Sequence, residues 1–149
     1  MGGFNDRLTP GFTITDAQDP TISGFSVDTS PVSGVFYNSD IDVSWSSSEA
    51  LASGNTQIQF VRSSGNSDTN HNVNVTNPSL LTSGAKSSNI ILTDDSASDR
   101  VALNCGSIYT VTFRAEDAAG NVNSTQSVAN IGFDNCAPEV PTPDDIPLQ

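Results

Sequence analysis

Basic residues are scarce in this chain. Five lysines and arginines stand against 17 aspartates and glutamates among 149 residues, a formal net charge of −12. Such a surface repels phosphate backbones, which argues against nucleic-acid binding. No apolar run approaches the ~20 residues that cross a bilayer, so membrane insertion is not expected. Met1-Gly2-Gly3 lacks the basic start and apolar middle of a secretory leader, and any export signal is expected outside this chain. No segment carries the three-to-four period of an amphipathic helix. The single histidine, His71, lies in a polar loop with no motif around it, and a general base needs fixed geometry. Zinc-spaced cysteines, a glycine-rich phosphate loop and a glycosidase-like carboxylate pair are all missing. The sequence reads as non-enzymatic.

Serine, threonine, asparagine and glycine fill the space that charge and apolar residues leave. Hydrophobic content is 35% and charged content 15%. That balance suits an all-β module with polar outer faces and many turns. The clearest strand runs from Ser107 to Glu116. Tyr109, Val111, Phe113 and Ala115 alternate with Thr110, Thr112, Arg114 and Glu116, one face apolar and one polar. A Gly120-Asn121 turn follows it.

Other strands are expected at Thr21–Val27, at Tyr37–Trp45 and at Gln57–Val61. Further ones are expected at Val73–Thr76 (an edge strand stopped by Pro78), at Ser88–Thr93 and at Ser127–Phe133. Ile41, Val43 and Trp45 alternate against Asp40, Asp42 and Ser44. Trp45, the only tryptophan, is expected at the core centre with Tyr109, Val111 and Phe113. The stretch Ser63–Asn72 has almost nothing to bury and is expected to be a mobile loop. Seven or eight strands with no helix between them predict an antiparallel β-sandwich. Residues 20–136 form that domain. Residues 1–19 read as a leading linker, the tail of a preceding module or a cloning remnant, and 137–149 as a Pro-rich exit linker.

The run Tyr-x-Val-x-Phe-x-Ala-x-Asp-x-x-Gly-Asn at 109–121 resembles the sixth strand and following turn of immunoglobulin-like and fibronectin type III-like modules. The likeness is strongest to those strung along bacterial surface proteins. Val43-x-Trp45 is similar to the fibronectin type, and Asp134-Asn-Cys-Ala-Pro138 resembles the junction that opens each copy in tandem bacterial repeats. The resemblance implies a spacer repeat of a large extracellular surface protein or adhesin, with neighbouring repeats of the same parent as partners. Two alternatives use the same fold. The module itself binds a cell-surface ligand, with Ser63–Asn72 as the contact surface, or it is an accessory module of a secreted hydrolase.

Three constellations carry chemistry. Cys105 lies fifteen residues before Gly120 and Cys136 fifteen after Asn121. A hairpin folded about that turn brings the two face to face at disulfide distance, which implies an oxidising location. Two buried thiols are the alternative. Second, Asp117 is expected at the pole where the chain begins its first strand, near Asp16, Asp19 and Glu49. Converging carboxylates are what calcium takes, six to eight oxygens at once, although an Asp before Gly also caps its own turn. The Ala-x-Asp-x-x-Gly run and Asp99-Arg100 are similar to cadherin calcium elements, with Val101 where that family has its glutamate ligand. Third, Asp94, Asp95 and Asp99 are expected at the opposite pole near Asp134. Asn74-Val-Thr76 and Asn123-Ser-Thr125 are glycosylation sequons in a eukaryotic secretory setting.

Overall fold

The computed structural model describes residues 15–28 and 30–138. Most of the two expected linkers, 1–14 and 139–149, therefore lies outside the described residues.

The alternation from Ser107 onward builds the central strand. β7 (Ser107–Glu116) buries every second side chain, from Ser107 through Tyr109, Val111 and Phe113 to Ala115. It stops at Asp117, whose amide donates to Asn121 O (3.1 Å) to close the turn. Gly120 sits there at φ 91°, a conformation that costs other residues strain. β8 (Val122–Phe133) then runs back along β7, from Glu116 opposite Val122 to Ser107 opposite Phe133, with two irregularities in register. Asn130, at φ 62°, lies in one of them. Sequence alternation marks only the second half of β8. The first half is mostly polar and nowhere buried, so its strand character comes from the hairpin ladder rather than from burial.

On the other side of β7 lies β4 (Gln57–Gly65), followed by β5 (His71–Asn74). β2 (Phe36–Tyr37) joins the far edge by pairing parallel with the end of β8. The resulting sheet has the order β2-β8-β7-β4-β5. A second sheet, in the order β1-β3-β6, contains β1 (Ile22–Val27), β3 (Asp40–Ser47) and β6 (Gly84–Ile91). β6 starts four residues before the expected Ser88. Its opening residues, Gly84 to Ser87, are largely exposed, and pairing with β3 rather than apolar period defines it. One short 3-10 turn, Pro78–Leu80, interrupts the strands, capped by Asn77 Oδ1 accepting from Ser79 N at 3.1 Å.

Both sheets share one core. Ile41, Val43 and Trp45 of β3 meet Tyr109, Val111 and Phe113 of β7, all fully buried. The Trp45 ring stacks on the Phe113 ring with centroids 4.7 Å apart, and the Phe25 ring of β1 lies 5.7 Å from that of Phe113. Among the described residues the protein is all-β, with sheets of three and five strands.

This architecture has two poles, separated by the ten residues of β7, roughly 30 Å. The chain enters β1 at the pole that holds Asp117, where Asn123 Nδ2 donates to Pro20 O at 2.9 Å. It leaves β8 at the opposite pole, which holds Cys105.

Candidate functional site

At the exit pole Cys105 and Cys136 are joined by a disulfide, with Cα atoms 5.9 Å apart. The two residues lie just beyond the paired ends of β7 and β8. Asp134 sits beside them, its Oδ1 accepting from the Cys136 amide at 3.1 Å and its own amide donating to Tyr37 O at 2.8 Å. Asp134, Cys105 and Cys136 converge, but the sulfurs are spent on each other.

The segment around Cys105 is tied to the loop between β4 and β5. Asn66 Nδ2 donates to Cys105 O at 2.8 Å, and the Asn66 amide to Gly106 O at 2.9 Å. Ser107 Oγ donates to Asn66 O at 2.9 Å, and Asn104 Nδ2 to Ser67 O at 3.1 Å. Two glycines at positive φ let these backbones approach so closely. A Cβ on Gly65 would lie 2.2 Å from Gly106 O, and one on Gly106 would lie 2.5 Å from Asn66 Nδ2.

Asp68 is the hub of this contact. Its Oδ2 accepts from the Asn104 amide at 3.0 Å and from the Tyr109 hydroxyl, and it meets His71 Nε2 at 3.0 Å. Oδ1 accepts from the Thr69 amide at 2.7 Å. Burial pushes the Asp68 carboxyl upward, but the bonds from Tyr109, Asn104, His71 and Thr69 outweigh it and hold the group below its ordinary 3.8. The same contact, after burial, pushes Tyr109 up to about 12. The loop Ser63–Asn72 is therefore not free, contrary to expectation. β4 claims it to Gly65, β5 claims it from His71, and between them Asn66, Ser67 and Asp68 are bonded to residues 104–109. Its lack of apolar residues signalled poor burial, whereas its Asn and Asp residues, which bond backbone readily, were the signal for order.

At the opposite pole, Asp16, Glu49 and Asp117 each place a carboxylate oxygen within 4.8 Å of the others. Asp19 is not in this group. Asp117 is buried, and its oxygens face its own turn. Oδ1 accepts from Ala119 N (2.8 Å) and Asn121 N (2.9 Å), and Oδ2 from Asn121 Nδ2 (2.7 Å). The Asn121 side chain leads these bonds in holding the carboxyl below its ordinary value. Asn121 Nδ2 also reaches Asp16 O at 3.2 Å, which fastens the incoming chain to the turn. Calcium would have to share oxygens already committed to amides, so the donor set fits a self-capped turn better than a cation cage.

Asp94, Asp95 and Asp99 are not in the convergent group that holds Asp134. Their loop lies against β5 instead. Asp95, Ser98 and Arg100 line an open polar cleft of about 230 Å³ with His71, Asn72 and Asn74. Asp94 pairs with Arg100 at 2.8 Å, and Asp99 lies 3.7 Å from the same side chain. Bonds from the Ser96 amide and hydroxyl, then from Arg100, lower Asp94 to about 2. Backbone pairing ties the loop to the end of β6, where Ile91 N donates to Asp99 O and Val101 N to Ile91 O. The two acidic groups assigned to one pole thus belong to different neighbourhoods.

Sequence reasoning missed Asn66, Asp68 and Asn104. Their partners lie 36 to 41 positions away, and no local pattern announces them. Comparison with family models, with curated proteins and with solved structures found no match.

Proposed function

We propose that this chain is an immunoglobulin-like β-sandwich repeat serving as a non-catalytic structural spacer in a large extracellular surface protein. The observation that carries the reading is the strand order. Lettered as in immunoglobulin domains, β1, β3 and β6 stand as A, B and E, while β8, β7, β4 and β5 stand as G, F, C and C′. Trp45 lies on the B-equivalent strand and stacks on Phe113 of the F-equivalent strand, the arrangement expected of the fibronectin-type variant. The disulfide supports an oxidising compartment. Chain entry into β1 and departure from β8 at opposite poles supports an end-to-end role, with neighbouring repeats as partners.

The ligand-binding alternative leans on the loop Ser63–Asn72, whose side chains are largely engaged with the rest of the fold and which carries no aromatic anchor. A catalytic reading leans on His71, whose Nε2 faces a carboxylate already shared by Tyr109 and Asn104.

The test is replacement of residues 20–136 in the parent polypeptide by an unrelated β-sandwich of equal span. A spacer leaves ligand binding by the parent unchanged. Loss of binding after replacement, but not after shuffling of flanking modules, would overturn the reading in favour of a binding module.

A further inference from the structure

The disulfide encloses the whole β7–β8 hairpin in a covalent loop. Cys105 lies two residues before β7 and Cys136 three residues after β8, a sequence separation of 31. Tension arriving from the C-terminal side therefore meets Cys136 first and has two routes. One runs back along β8 and around the Asp117 turn. The other crosses a single covalent bridge to Cys105. The second is shorter and cannot extend, so it takes the load. We propose that the Cys105–Cys136 bridge is a load bypass, which delivers tension to the Asn66–Asp68 knot and takes the β7–β8 hairpin out of the force path.

Where the load lands supports this. The residues receiving it are anchored to a different hairpin, through Asn104 N to Asp68, Asn104 Nδ2 to Ser67 O and Cys105 O to Asn66 Nδ2. Gly106 adds backbone bonds to both Phe133 and Asn66. Force is thus spread into β4 and β5 before any pair of the central hairpin is strained. The proposal deepens the spacer reading, since a spacer is the kind of module that bears tension between its ends.

Single-molecule stretching of the full chain, held by handles at its two ends, tests it. The oxidised chain is compared with the same chain reduced by a phosphine, and with the Cys105→Ser/Cys136→Ser double variant. Complete unfolding of the oxidised chain should release about 100 Å less contour length than either comparison, the extension of 31 residues at ~3.3–3.6 Å each. That difference alone shows the bridge. The bypass is shown by Asn66→Ala, which removes the side-chain bond to Cys105 O. It should lower the unfolding force of the oxidised chain and leave that of the reduced chain unchanged. An equal fall in both redox states would overturn the bypass, as would equal release lengths. Neither result touches the replacement test, so the two ideas fail separately. Lost ligand binding would end the spacer reading and leave the bypass standing.

Discussion

Two aspartates bracket the central strand, and they are buried for opposite reasons. Asp117 follows the last residue of β7 and is 3% exposed, while the Asp68 side chain, held at the start of β7, is 7% exposed. Asp117 satisfies its carboxylate within four residues of itself, on Ala119 and Asn121. Asp68 satisfies its own partly across the fold, on Asn104 and on Tyr109, which is 41 positions away. The first is a local device that shapes one turn. The second joins three segments, and its loss should be felt by all of them.

The largest effect is therefore expected from Asp68→Ala. It leaves the Tyr109 hydroxyl and the Asn104 amide without their acceptor and removes the His71 partner. An unmet buried donor costs about 1–3 kcal/mol, and the buried Tyr109 hydroxyl becomes one, so a loss of about 2 kcal/mol is expected in urea unfolding. The variant should also remove part of the acid limb of the stability curve. The folded Asp68 carboxyl is held below its ordinary 3.8. Its contribution is then complete above that value and vanishes as pH falls through the depressed folded one. If wild type and variant lose stability in parallel below pH 4, the hub does not carry the charge assigned to it.

This contrast explains what could be read in the chain. Turn chemistry is local, so Asp117-Ala-Ala-Gly-Asn was legible as a turn, and the alternation of β7 and of Ile41, Val43 and Trp45 was legible as two buried faces. The disulfide was legible because a hairpin maps sequence distance onto space, and Cys105 and Cys136 lie equally far from its turn. The knot at Asp68 obeys no such map. Its residues belong to a loop between β4 and β5 and to a loop before β7, and only the strand order β7-β4-β5 brings them together. Polar strands failed for a related reason. The opening halves of β6 and β8 are set by their ladders with β3 and β7, and ladder partners leave no mark on apolar period.

Tyr109→Phe sharpens the comparison at a smaller scale. It removes one donor to Asp68 and keeps the ring, the core contact with Phe60 and the other bonds to the carboxylate. A loss of about 1 kcal/mol is expected. The alkaline limb should change as well. Tyr109 is raised from 10.0 to about 12, so its contribution is complete below pH 10 and is lost as pH rises through 12. Stability of the phenylalanine variant should fall less steeply across that window. Equal slopes would show that the hydroxyl is not coupled to the fold.

The smallest effect is expected from calcium added at the Asp117 pole. Asp16, Glu49 and Asp117 converge closely enough to hold an ion. A cation would stabilise the fold by ~2.7 kcal/mol at a hundred times its Kd. The turn, however, already supplies three donors to Asp117, and a neutral turn of the same shape needs no metal. Thermal melts of the oxidised chain with calcium and with a chelator should therefore coincide, and Asp117→Ala should lower the midpoint equally in both. The decisive outcome is the interaction between the two changes. If calcium raises the wild-type midpoint and Asp117→Ala abolishes the rise, the carboxylate serves an ion as well as its turn, and the two ends of β7 are more alike than their hydrogen bonds suggest.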